Sequence, residues 1–266
     1  MEVRTWGEPG DPAVVFLHGL GVLGPRTSAE PAEAWAARGF HVLAPDLPGF
    51  GGSAAVAPEG YRPSRLAALL LDELPERFAL VGFSWGGTIG CHIVARAPER
   101  VTALALVDVG YQTPPANHAT YEELLEQARG EREGMRYADA DAFLAAERAQ
   151  FSATVTDAQL LASMCEEGGR LVPELTAEVY AGALHGVEAE PPSALLGDLR
   201  DADLPVLLLV AGRPEDERRA AEVESFARAV PNAEVRHFPD AGHNVLLDAA
   251  DEAIPLVADW LAEHAK

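Results

Sequence analysis

Residues 79–94 read ALVGFSWGGTIGCHIV. An apolar, strand-like run stops at Ser84, and a helix-like stretch begins directly after it. Gly82 lies two residues before the serine, and Gly86 and Gly87 follow it. A sharp strand-to-helix turn pushes the two backbones together, so the flanking residues must be very small. The same turn aims the helix N-terminus, with its free N–H groups and positive dipole end, at the serine. This arrangement displays Ser84 Oγ as a nucleophile. A serine hydroxyl attacks only when a base lies within hydrogen-bond reach, and a histidine base needs a carboxylate to hold it.

PDAGHNVLL, at 239–247, supplies the base. His243 follows the last strand-like run in a Pro/Asp/Gly turn and precedes an amphipathic helix, which puts it on the carboxyl edge shared with Ser84. The other histidines sit elsewhere: His92 in a helix, His41 and His237 in strands, His118 and His185 in a long connection, and His264 in the tail. An oxyanion hole needs two fixed N–H donors. Trp85, directly after the nucleophile, offers one backbone N–H. The loop after VVFLHGLG offers the other, assigned to Leu20, with His18 as a hydrogen-bonded turn residue that shapes the loop with Gly19.

The elements that must position these groups follow a β–α order. AVVFLHG (13–19), HVLAPDL (41–47), FALVGFS (78–84), VTALALVDV (101–109), PVLLLVAG (205–212) and AEVRHFP (233–239) read as strands. Most are apolar throughout, as expected of strands covered on both faces. Helices are predicted at 28–38, 63–74, 86–97, 217–229 and 249–263. The alternation predicts an α/β fold with a mostly parallel, doubly wound sheet. One connection breaks it: more than 90 residues between Val109 and Val206 show helix signals and little strand character. TYEE at Thr120 and TDAQ at Thr156 have capping-box form. DAFLAAERAQF and PELTAEVYAGALHG add two amphipathic stretches. The division expected is a core of 1–111 and 200–266 with a helical lid, 112–199, over the carboxyl edge where open α/β sheets bind ligands. Tyr121, Met135, Tyr137, Phe143, Phe151 and Met164 are the large lid residues, available to line a pocket or fill the lid's own core.

Bulk properties narrow the field further. The chain has 266 residues, 48% hydrophobic and 23% charged, and a formal net charge of −22. Such acidity repels phosphate backbones and acidic membrane faces, so no nucleic-acid or membrane partner is expected, and strongly anionic substrates are disfavoured. No apolar run approaches the roughly 18 residues of a membrane span. The N-terminal stretch carries no secretory signal pattern, and the expected location is the cytoplasm. Cys91 and Cys165 are too few for a disulfide framework, and no Cys/His cluster suggests a metal. No cofactor is expected, only a small-molecule substrate. Oligomeric state is not legible.

HGLG (18–21), APDLPGFGGS (44–53), GFSWGG (82–87), ALVDVG (105–110) and DAGH (240–243) together resemble the α/β-hydrolase superfamily in order and spacing. The resemblance implies a serine hydrolase with a helical cap, its elbow similar to those of iminopeptidases and several esterases. Dehalogenases and epoxide hydrolases of this fold place an aspartate where Ser84 stands. Only EVRTWGE precedes the first long strand, where the family has a longer hairpin, so the family's first strand is expected to be missing. The family commonly draws its triad acid from just past the penultimate strand, here AGRPEDERR. Asp216, four past Gly212, is preferred for its short, well-fixed side chain. Glu215 remains an alternative, as does Asp108, at the end of the strand after the elbow. Hydrolysis of small carboxylic esters is the leading expectation. Aminopeptidase or amidase action, C–C bond hydrolysis and non-enzymatic small-molecule binding are the alternatives.

Overall fold

Side chains alternate between the two faces along each central strand, and both faces are apolar. The computed structural model describes residues 1–265 apart from 22–23, 25–27, 114–118, 151–155 and 214–216. Its strands are β1 (Val3–Trp6), β2 (Ala13–Leu17), β3 (His41–Pro45), β4 (Phe78–Phe83) and β5 (Val101–Val107), followed by β6 (Met164–Glu167), β7 (Arg170–Pro173), β8 (Val206–Ala211) and β9 (Ala233–Phe238). Seven of them form one sheet in the order β1-β3-β2-β4-β5-β8-β9. Every neighbouring pair is parallel except β1 with β3. Among the described residues a single strand, not a hairpin, precedes β2: Val3–Trp6 pairs antiparallel along β3 from Val3 opposite Pro45 to Trp6 opposite Val42. An edge strand needs one partner only, so four residues suffice.

Helices cover both faces. They are α1 (Ala29–Ala36), α2 (Pro63–Leu71), α3 (Trp85–Arg96), α4 (Tyr121–Gly134), α5 (Ala140–Glu147), α6 (Asp157–Leu161), α7 (Ala177–Ala189), α8 (Leu196–Asp201), α9 (Glu217–Ala229), α10 (Val245–Asp248) and α11 (Ala250–His264). Val15, Leu17, Leu80, Leu104, Leu106 and Leu208 pack in one core with residues of α2, α3 and α9. Val14, Phe16, Val81, Ala105, Leu207 and Leu209 pack in the other with α1 and α11. The period-two switch between these sets is what a doubly covered strand requires.

Between β5 and β8 the chain forms α4 to α7, as the helix signals predict. Thr120 and Thr156 both close reciprocal capping boxes, with Glu123 and Gln159. The expectation of little strand character fails in one place, because β6 and β7 form an antiparallel hairpin with Glu167 opposite Arg170. Gly168 and Gly169 turn it with φ of +60° and +71°, the conformation a two-residue hairpin loop demands. α8 already packs against α3 and α9.

Two local devices set the carboxyl edge. At the strand-to-helix turn after β4, Ser84 itself takes φ 50°, ψ −118°, a strained conformation for a residue with a Cβ. A Cβ on Gly86 would stand 2.2 Å from the Leu17 carbonyl oxygen, and one on Gly82 would stand 2.4 Å from Gly87 Cα. These obstacles are backbone, so they cannot rotate away. The second device is His18, which is 1% exposed. Its Nδ1–H donates to the Gly19 carbonyl at 2.9 Å, and its Nε2 accepts the Leu47 N–H at 3.0 Å. The Leu47 donor fixes the neutral tautomer, and burial, above all, pushes the pKa down to about 4.

Two measurements check these devices. Gly86→Ala should lose about 1–3 kcal/mol by forcing α3 away from β2, together with most turnover; an unchanged denaturant midpoint would contradict the close contact. For His18, the unfolded chain binds a proton below pH 6.5 that the folded chain refuses until about pH 4. Stability therefore falls as pH drops through that window, by a loss on the order of 3 kcal/mol in all. His18→Asn, which cannot titrate there, should show a shallower decline between pH 7 and 4; parallel curves would sink the claim.

Candidate active site

The carboxyl ends of β4, β5 and β9 bring three side chains into one line. Ser84, at the elbow after β4, lies with Oγ 2.9 Å from His243 Nε2, so the hydroxyl can donate to the imidazole. His243 stands in the loop between β9 and α10 and packs its ring 5.1 Å from that of Phe83. Its Nδ1–H donates to Asp108 Oδ2 at 2.7 Å. The imidazole is 54% exposed while the Asp108 side chain is 2% exposed. A proton can thus pass from Ser84 to an imidazole whose far nitrogen is already held.

Asp108 follows β5 directly and has φ 50°. Its Oδ1 accepts the Tyr111 hydroxyl at 2.6 Å and the Ala211 N–H, at the end of β8, at 3.0 Å. Burial by itself would raise its pKa, but the hydrogen bonds from His243, Tyr111 and Ala211 outweigh burial and hold the carboxyl below its ordinary value. The Tyr111 hydroxyl shifts the opposite way, pushed up by burial and by the Asp108 carboxylate it donates to. Gln112 adds a further tie, its Nε2 donating to the Asp108 carbonyl at 2.9 Å.

Of the three carboxylates named from the sequence, the geometry brings Asp108 to His243. Asp108, an alternative on sequence grounds, accepts the Nδ1–H of His243. Asp216 and Glu215 both lie outside the described residues. β5 lies two strands from β9, and the carboxylate bridges the gap: one oxygen accepts the Ala211 N–H at the end of the intervening β8, and the other accepts from the His243 ring.

A pocket of about 340 Å³ opens at Ser84 and His243, and Leu20 and Trp85 also line it. Trp85 begins α3, so its N–H has no acceptor one turn back in the helix. The Trp85 indole is 3% exposed and packs among His18, Phe50 and Tyr61. Over the pocket lie Tyr180, Leu184 and Val187 of α7. These were not singled out in the sequence, although their i, i+4, i+7 spacing marks one apolar helix face. Most of the large residues that were singled out serve elsewhere. Tyr137 and Phe143 stack edge to face at 5.3 Å and pack with Met164, Leu160 and Leu247. Tyr121 meets His185, Met135 lines an adjoining cavity, and Phe151 and His118 lie outside the described residues. Among those residues, no helix is long and apolar enough to cross a membrane.

Comparison with known proteins agrees with this architecture. The family described as the alpha/beta hydrolase fold matches residues 12–250. A pimeloyl-[acyl-carrier protein] methyl ester esterase of Chromobacterium violaceum is 32% identical, over 99% of this chain and 98% of that protein. Among solved structures, an E-2-(acetamidomethylene)succinate hydrolase superposes with a TM-score of 0.75 at 20% identity, over 98% of this chain and 94% of that one. An enol-lactonase from Burkholderia xenovorans superposes at 0.72 with 20% identity, over 98% of this chain and 96% of that one. Sequence match, strand order and elbow agree, and the chain belongs to the α/β-hydrolase fold family.

Proposed function

We propose that this hydrolase cleaves small carboxylic esters through an acyl-enzyme, with Ser84, His243 and Asp108 as its triad and residues 112–199 as a cap over the pocket. The observation that carries the reading is the unbroken pair of bonds, 2.9 Å from Ser84 to His243 and 2.7 Å from His243 to Asp108. Ser84 Oγ attacks the ester carbonyl carbon as its proton passes to His243 Nε2. The N–H groups of Leu20 and Trp85 receive the negative charge that develops on the carbonyl oxygen. The tetrahedral adduct collapses, and His243 returns the proton to the departing alkoxide. Water then repeats the sequence, releasing the carboxylic acid and restoring Ser84. Asp108 keeps the imidazole in the tautomer that can accept from serine and steadies its charged form.

Relatives support the bond type: one is named for a methyl ester and a structural neighbour for an enol-lactone, both acyl–oxygen linkages. Charge supports the substrate class. Residues 112–199 carry five arginines and no lysine against sixteen aspartates and glutamates. A cap so acidic repels anionic substrates and acidic carriers, and favours a free, neutral or cationic ester.

Hydrolysis of p-nitrophenyl esters should be measurable in the wild type and fall by several orders of magnitude in Ser84→Ala. A folded wild type that neither cleaves any ester nor reacts with a fluorophosphonate would sink the reading in favour of simple binding. Asp108→Ala should cost roughly 10⁴-fold in kcat, whereas Asp216→Ala should stay near wild type. The reverse pattern would move the acid to the loop after β8.

A further inference from the structure

The pocket at Ser84 has a neighbour across Tyr180. A second cavity, of about 260 Å³, begins at Leu20 and Tyr180, and these two residues line both spaces. Ala128 of α4, Met135, Leu175 and Ala177 form most of its apolar wall. The Arg132 guanidinium also borders it, but it donates to Glu167 at 2.8 Å and to the Pro173 carbonyl at 3.3 Å. Apolar surface therefore dominates the chamber. The first chamber holds Ser84 and His243, and its apolar lining includes Val109, Val187 and Pro192.

Two chambers that share Leu20 and Tyr180 match the two limbs of an ester, and the proposed chemistry orients them. The carbonyl oxygen must lie at the Leu20 and Trp85 N–H groups, so the carbonyl carbon sits in the first chamber beside Leu20, which the second chamber shares. The leaving oxygen must lie within hydrogen-bond reach of His243 Nε2, which returns its proton. His243 lines the first chamber and not the second. From this juxtaposition we infer that the alcohol limb occupies the first chamber, and that the acyl limb, an unbranched apolar chain, runs past Tyr180 into the second. This assignment rests on the ester-hydrolase reading and adds which wall selects which half of the substrate.

The test crosses two substrate series with two pairs of variants. One series lengthens the acyl chain from acetate to decanoate on a fixed alcohol, and the other lengthens the alcohol on a fixed acetate. In the wild type, kcat/KM should rise about fourfold per added acyl methylene until the second chamber is full. Ala128→Phe, or Met135→Trp if the former folds poorly, should cut the octanoate-to-acetate ratio at least tenfold and leave the alcohol-series ratios alone. Val187→Phe, or Val109→Phe in its place, should do the opposite. Ratios within one variant cancel any general loss of activity.

The exchanged pattern, or ratios that respond to neither pair, would overturn the assignment while leaving ester hydrolysis standing. A wild type inert on every ester instead strikes the ester-hydrolase reading. Calorimetric Kd values for the same uncleaved esters on Ser84→Ala then decide the chamber assignment without turnover. A methylene increment that Ala128→Phe abolishes supports it, and a flat series, or no binding, overturns it.

Discussion

One buried carboxylate joins the elements on which the site depends. Asp108 is 1% exposed, and an isolated charge so buried would be driven to protonate. It stays ionised because three donors converge on it: the Tyr111 hydroxyl, the Ala211 N–H and the His243 ring. Those donors come from its own connection, from the end of β8 and from the loop after β9. The carboxylate thus ties three chain segments at the sheet's carboxyl edge and fixes the imidazole in front of Ser84. Removing it would leave Tyr111, Ala211 and His243 donors in search of acceptors, so its structural and chemical roles cannot be separated by burial alone.

Backbone proximity at the elbow complements that tie. Gly82, Gly86 and Gly87 let α3 start against β2 and β4 at distances no side chain permits. The cost is carried by Ser84, whose positive φ aims Oγ out of the strand and toward His243. His18 holds the opposite wall, accepting from Leu47 while donating to Gly19, so the loop carrying Leu20 is anchored to the end of β3. α7 closes over these groups, and it approaches closely because Gly182 and Gly186 present no side chain to Tyr61.

How much of this was legible in the sequence depended on the range of the interaction. Ser84 stands out because its constraint is local: a strand, a turn and a helix within a few residues, punctuated by glycines. His243 stands out for the same reason, as a histidine in a turn between a strand and a helix. The acid is different. Asp108 and His243 are 135 residues apart, and only the order of strands decides which carboxylate reaches the ring. Two aspartate positions fitted the pattern, and a sequence carries no distance between them. The hairpin of β6 and β7 escaped because each strand has only four residues, two of them glutamates in β6, although the Gly168–Gly169 pair between them is a readable turn signal. The α7 pocket face escaped because Leu184 and Val187 are of ordinary size, whereas Tyr137, Phe143 and Met164 pack into the connection's own core.

Proton NMR of the Nδ1–H held between His243 and Asp108 tests the central arrangement most directly. A hydrogen strongly bonded to a buried carboxylate resonates far downfield and exchanges slowly. Spectra of wild type, Asp108→Ala and Asp216→Ala, recorded at low temperature, would be compared. A downfield resonance that persists in Asp216→Ala and disappears in Asp108→Ala is the expected result. A resonance that survives loss of Asp108 but vanishes with Asp216 would contradict the arrangement and place the acid beyond β8.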